Sequence, residues 1–234
     1  MSPYGQVYDV FARLKGSGRL RHEATVGAGL PVISTIDSLL DTADIITSIE
    51  GCLSGTLGYL CTALEDEVPF SLALQEAMAK GYTEPDPRED LSGLDVARKA
   101  LILARLLGWT LEMGDVQVEP LHTPAMAAMT REDFVASASA LDDTYTRRAE
   151  EARSKGNVLR YVARIRDGEC IVGLREVLAS ELAGSLRGSD NIVAIHTARY
   201  SRSPLIVAGA GAGREVTAAG VLGDILSLAR EMGV

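Results

Sequence analysis

Between Gly81 and Lys99 the chain reads GYTEPDPREDLSGLDVARK. Glu84, Asp86, Asp90 and Asp95 stand here with Tyr82 and Lys99, among Pro85, Pro87, Gly81 and Gly93. A packed core has no use for so much charge in so short a segment. A site for a small polar molecule has. Carboxylates hold an ammonium group, and a lysine beside a carbonyl carbon protonates or stabilises an alkoxide as it forms. Asp95 and Lys99 share a helical face at i,i+4 spacing. Read without chemistry, they are a solvated ion pair worth roughly a few tenths of a kcal/mol, or Asp95 closes a capping box with Ser92. Read the same way, Glu84 and Asp90 are loop acids facing water.

The surrounding pattern says how this segment is held. Pro85 and Pro87 predict an extended or turning path, not a helix. Gly81 predicts the end of a helix over Ser71–Lys80, and Ser92 the cap of the next. That next helix, Ser92–Leu107, has the clearest pattern in the chain. It buries Val96, Ala100, Leu103 and Leu107 and sets Lys99 on the opposite face. Upstream, apolar residues at 7, 10, 11 and 14 predict an amphipathic helix over Tyr4–Lys15, ended by Gly16 and Gly18. His22–Ile33 reads as a glycine-rich turn, Ile45–Glu50 as a strand, and Ser54 as the cap of a helix to Leu64. Downstream, Val116–Glu119 is a short strand, and Glu132–Lys155 is helical with a break at Asp142–Thr144. Val158–Ile165 and Glu169–Val177 alternate on either side of Asp167-Gly168, a hairpin signal. Asn191–Tyr200 and Leu205–Ala208 are further strands. Gly209, Gly211 and Gly213 form a turn into a last helix over Val216–Met232, which Thr217 can cap. Helices crowd the first half and strands the second. The fold class is α+β, with helices packed on one face of a mixed, largely antiparallel sheet.

The 234 residues are 47% hydrophobic and 24% charged, enough for one domain with a substantial core. No apolar run reaches membrane-spanning length, and no basic start followed by an apolar stretch marks a signal peptide. A net charge of −9 argues against a nucleic-acid partner. Cys52, Cys61 and Cys170 suit neither a zinc site nor a redox pair, and point to reduced thiols in a cytoplasmic setting. His22, His122 and His196 are far apart and read as structural.

The Gly81–Lys99 segment resembles the homoserine dehydrogenase family almost letter for letter. EATVGAGLPVI (Glu23–Ile33), EGCLSGTLGYL (Glu50–Leu60), RGSDNIVAI (Arg187–Ile195) and GAGAGREVTAAGVLGDIL (Gly209–Leu226) extend the likeness in family order. Met126–Gly156 carries no family motif. The family interconverts L-aspartate 4-semialdehyde and L-homoserine with NAD(P), on the way to threonine and methionine. It begins with a nucleotide-binding Rossmann domain. Here the catalytic motifs start within about twenty residues of Met1, so the expectation is a chain lacking that domain and inactive by itself. The implied organisation is a remnant at 1–21 and a catalytic and dimerisation domain at 22–208. A turn and helix at 209–234 would return to the cofactor domain. The alternative is a non-catalytic paralogue serving as an amino-acid-binding or assembly module.

By the same resemblance, Lys99 and Asp95 are catalytic, and Gly55, Thr56, Tyr82, Glu84 and Asp90 bind the amino-acid substrate. Gly213 approaches the cofactor. Backbone oxygens of Glu23, Val26, Ala28 and Leu30 hold a monovalent cation, usually sodium. The implied partner is a second copy, joined through the sheet, with neither nucleic acid nor membrane.

Overall fold

The computed structural model describes residues 7–233. The Tyr4–Gln6 part of the first predicted helix lies outside the described residues. Its remainder is α1 (Tyr8–Gly16), docked by buried Phe11 and by a 2.9 Å ion pair from Lys15 to Asp37. Asp37 belongs to α2 (Val32–Asp41), which buries Val32, Ile33, Ile36 and Leu39. β1 (Ile46–Cys52) then leads into α3 (Gly55–Glu65). Ser54 caps α3 as its type predicts, its Oγ accepting from the Leu57 N–H at 3.2 Å. α4 (Phe70–Ala79) ends at Gly81, whose φ of +70° takes the chain out of the helix.

The loop between α4 and the next long helix departs from expectation. Pro87 starts a short helix, α5 (Pro87–Leu91), instead of forbidding one. A first-turn N–H needs no helical partner, so proline fits there. Asp86 is the cap of α5 and a partner of Arg88, at 2.5 Å, and so is not presented to a ligand. Ser92 closes α5, and its Oγ also accepts from the Leu94 N–H at 3.2 Å, the first of α6 (Leu94–Leu106), whose cap position is nevertheless Gly93. No capping box with Asp95 forms. Gly93 is required twice over: its φ is +71°, and a Cβ there would lie 1.9 Å from the Tyr161 hydroxyl.

β2 (Gln117–Val118), α7 (Pro124–Ala127), α8 (Arg131–Ser137) and α9 (Asp142–Ser154) follow. The helical break falls at 138–141, a 3₁₀ turn, and not at Asp142–Thr144. Asp142 instead begins α9 and accepts from the Ser71 N–H and hydroxyl at the start of α4. β3 (Asn157–Arg166) and β4 (Glu169–Leu178) make the predicted hairpin. Asp167 and Gly168 have φ of +53° and +83°, the left-handed pair that a tight two-residue turn demands. α10 (Leu182–Ser185), β5 (Asp190–Thr197), β6 (Leu205–Ala210) and α11 (Arg214–Met232) complete the chain. Thr217 lies inside α11; Gly213 occupies the cap position.

The strands form one sheet in the order β2-β4-β3-β1-β5-β6. β2 pairs with β4 in parallel and the remaining neighbours are antiparallel. Alternation sorts the side chains. Ile49, Tyr161, Ala163, Ile165, Val172, Leu174, Val193 and Ile195 join the main core, with the buried faces of α3, α6 and α9. Cys52, Val162 and Ile192 form a separate small cluster with Ile206 at its margin, on the other face. The long helices α3, α6 and α9 thus pack on one face, as the α+β reading expects, while short α10 borders the other, its Ala183 and Gly184 carbonyls accepting from Arg160. No described helix is long and apolar enough to cross a membrane.

Candidate active site

Three short structures meet where β1 becomes α3. The Thr56 hydroxyl, in the first turn of α3, lies 2.6 Å from the Tyr82 carbonyl and 3.0 Å from Asp90 Oδ1. The other Asp90 oxygen accepts from the Glu84 N–H at 2.8 Å. Asp90 therefore ties together Thr56 and both sides of the loop. Its carboxyl is pushed above the ordinary range, chiefly by burial, while these hydrogen bonds pull the other way. Both oxygens are engaged inside the protein, so Asp90 shapes the loop as well as bordering it. Glu84 and Tyr82 are exposed on that loop.

Tyr82 rests on a support that sequence reading missed. Its ring meets that of Tyr59 edge-on, 5.3 Å between centroids. The Tyr59 hydroxyl donates to Glu76 at 2.6 Å and accepts from Lys80 at 2.7 Å. The i,i+4 spacing of Glu76 and Lys80 was visible in the sequence; their convergence on a tyrosine of another helix was not.

Lys99 is not on a face turned away from the core. It lies three residues after buried Val96, at the margin of the buried stripe, and its side chain is only 20% exposed against 59% for Asp95. Its ammonium donates to the Leu53 carbonyl at 2.8 Å and meets Asp95 Oδ2 at 2.8 Å. Leu53 directly precedes the Ser54 cap, so this lysine is tied to the same strand–helix junction as Thr56. With two protons engaged, the ammonium keeps a third to donate.

Gly55 has a reason apart from any ligand. A Cβ there would stand 3.1 Å from the Ser189 carbonyl oxygen, and one on Gly58 would stand 2.9 Å from that of Gly188. The two glycines let the 188–189 loop lie against α3, and the Gly188 N–H donates to Thr62 at 3.1 Å.

The cation-turn residues form a second group. Glu23 does more than offer a backbone oxygen: its carboxylate accepts from the Ile33 and Ser34 N–H groups and caps α2. The Glu23 carbonyl takes a 3.4 Å bond from Val26, and that of Leu30 a 2.8 Å bond from Val32. Each keeps a second lone pair. Buried Ala28 turns the chain at φ +55°. α11 rests directly on this turn. A Cβ on Gly29 would strike the Val216 carbonyl at 2.1 Å, and Gly220 abuts the Ala28 carbonyl. Asp224 of α11 accepts from the Glu23 N–H at 2.9 Å. Gly213, at φ +133°, heads the same helix. Among the described residues, no cluster of His, Cys, Asp and Glu side chains suits a metal ion, and Cys52, Cys61 and Cys170 are buried, unpaired thiols.

A sheet covered on one side by long helices, with an acidic loop and an anchored lysine at one strand–helix junction, is an α+β domain with a candidate site for a polar small molecule. The homoserine dehydrogenase family profile matches residues 31–226, and the chain belongs to that family. It is 48% identical over 217 residues to a chloroplastic bifunctional aspartokinase/homoserine dehydrogenase 2 of Zea mays, covering 91% of this chain and 23% of the maize protein. Homoserine dehydrogenase of Schizosaccharomyces pombe is 43% identical, over 92% of this chain and 60% of its own. A Candida auris protein of unknown function superposes with a TM-score of 0.91 at 36% identity, covering 96% of this chain and 66% of that one. A hyperthermophilic archaeal homoserine dehydrogenase solved with NADPH shares the fold, with a TM-score of 0.72 at 22% identity over 98% of this chain and 62% of its own. The chain thus spans about a quarter of the maize relative and three fifths of the fission-yeast one.

Proposed function

We propose that this chain is the catalytic and dimerisation part of a homoserine dehydrogenase, interconverting L-aspartate 4-semialdehyde and L-homoserine in the route to threonine and methionine. The observation that carries this reading is the knot of Thr56, Tyr82, Glu84 and Asp90 beside the Lys99–Asp95 pair, all fixed to the Leu53–Thr56 junction. Glu84, exposed on the loop, takes the substrate ammonium with Tyr82 as a wall. Gly55 and Thr56, at the positive end of an eleven-residue helix, favour the substrate carboxylate. Lys99 gives a proton to the oxygen formed at the aldehyde carbon, or takes it back in the reverse direction, and Asp95 holds the ammonium in place. Residues 209–213, with nothing larger than alanine, fit the flat nicotinamide end of NAD(P), and Gly213 is its contact. The cofactor supplies the hydride when bound. Carbonyls of Glu23, Val26, Ala28 and Leu30 are the proposed cradle for a monovalent cation.

The organisation follows the same reading: 1–21 as a link, 22–208 as the catalytic and dimerisation domain, and 209–234 as the part that meets the cofactor domain. The exposed Val221, Leu222, Ile225 and Leu226 of α11 support that last assignment. The open sheet face supports a homodimer, and buried reduced thiols a cytoplasmic-type setting.

The test joins this chain in frame to the N-terminal region of the fission-yeast relative. NADPH-dependent reduction of aspartate 4-semialdehyde is expected from the joined protein and not from the 234-residue chain alone. A folded joined protein without that activity overturns the proposal.

A further inference from the structure

Asn191 is 1% exposed, and neither its Nδ2 nor its Oδ1 has a hydrogen-bond partner among the described residues. A buried amide without partners costs stability, and native proteins keep few of them. Its place is specific. Asn191 pairs with Gly209 in the β5–β6 ladder. One step beyond the last paired residues of β1 and β5, Cys52 and Ile192, it stands beside Leu53, whose carbonyl holds Lys99. Its amide also occupies the space a side chain at 211 would fill. An ideal Cβ on Gly211 would lie 2.0 Å from Asn191 Cγ, 2.1 Å from Nδ2 and 2.4 Å from Oδ1. The middle glycine of GAGAG is thus demanded by Asn191 from below.

We propose that Asn191 is a positioning residue for the Gly211–Gly213 turn that follows β6. Its amide lies against the bare backbone of the turn, where a small rotation of one peptide brings a main-chain N–H or carbonyl onto it. That bond forms when the nicotinamide end of the cofactor engages the turn, and it holds the turn in its binding shape. Satisfying a buried amide then favours the engaged state of the turn over the free one. The same residue, by its place next to Leu53, sets the turn in register with the Lys99 junction. This inference rests on the proposed dehydrogenase function.

The test uses the joined protein described above and follows the Michaelis constants for NADPH and for aspartate semialdehyde separately. Asn191→Leu fills the space and removes both polar edges. It is expected to raise KM for NADPH about tenfold, the usual scale for losing one hydrogen bond, with less than about a twofold change for the semialdehyde. Asn191→Asp keeps the shape and one acceptor and is expected to recover part of the loss. Gly211→Ala should show the same NADPH defect. The double variant Asn191→Ala/Gly211→Ala removes the collision and separates the two explanations. A merely packing role predicts recovery of NADPH affinity; the positioning role predicts none. Recovery in the double variant, an unchanged KM for NADPH in Asn191→Leu, or a loss of both affinities tracking a lowered melting temperature overturns the proposal. An unaltered joined protein that folds but has no activity overturns the dehydrogenase reading, and this inference falls with it.

Discussion

Lys99 illustrates what a single side chain gains from its surroundings. An exposed i,i+4 pair with Asp95 is worth under about 1 kcal/mol, but the bond to the Leu53 carbonyl gives the ammonium a fixed address. Lys99→Ala in the joined protein is expected to lower kcat by about 10²–10⁴-fold, while urea unfolding shows a loss of roughly 1–2 kcal/mol from the unpartnered carbonyl. Near-normal kcat with that stability loss would return Lys99 to a structural role. His22 makes the complementary case. Burial lowers its pKa from 6.5 to about 4, outweighing the attraction of Asp37. The unfolded chain therefore takes up a proton that the folded one refuses. Stability is unaffected above the unfolded value, falls as pH drops from 6.5 towards 4, and levels off below that, a change of up to about 3 kcal/mol. Denaturant melts at a series of pH values should show this slope, and His22→Gln should flatten it. An equal slope in the variant assigns the effect to other groups.

At the scale of elements, glycines do two different jobs. Gly81 and Gly93 end and begin helices with almost the same left-handed φ, +70° and +71°. Gly81 has nothing within 4 Å of a would-be Cβ, whereas Gly93 has the Tyr161 hydroxyl at 1.9 Å. That hydroxyl donates to the Glu119 carbonyl at 2.7 Å and ties β3 to the β2 edge. Gly81→Ala should cost only the backbone strain, about 1 kcal/mol. Gly93→Ala should cost about 3 kcal/mol or more, since it adds overpacking and displaces a buried hydroxyl. Equal losses in equilibrium unfolding would show that the Tyr161 contact carries no weight.

The whole molecule presents two unequal sheet faces. One is sealed by α3, α6 and α9; the other carries half-buried Ser48, Glu50, Ala194, His196 and Ile206 beside Cys52, Val162 and Ile192. A face on which an apolar row, Val162, Cys52 and Ile192, lies beside a row of mixed polarity suits an isologous contact. Sedimentation at micromolar concentration is expected to give a dimer, and Ala194→Arg, which plants a charge near the middle of that face, a monomer. A wild-type monomer at high micromolar concentration removes the sheet from the assembly.

The sequence by itself determined the element types and much of the order. Alternation gave β3 and β4, Asp167-Gly168 gave their turn, Ser54 gave the start of α3, and the family motifs gave the candidate residues. These signals are local, carried by neighbours in the chain. Where local rules had two outcomes the sequence misled: Pro87 opens a helix instead of preventing one, Ser92 closes one helix and stands a residue ahead of the next one's cap, and Thr217 caps nothing. Only the tertiary structure decided that Asp90 knots three segments together, that Lys99 is anchored on Leu53, that Tyr59 props Tyr82, and that α11 lies on the Glu23–Leu30 turn. It alone placed the buried Asn191 amide under Gly211. Each joins residues distant in the chain, and no spacing rule encodes such a meeting: it is settled by which faces the common core forces together.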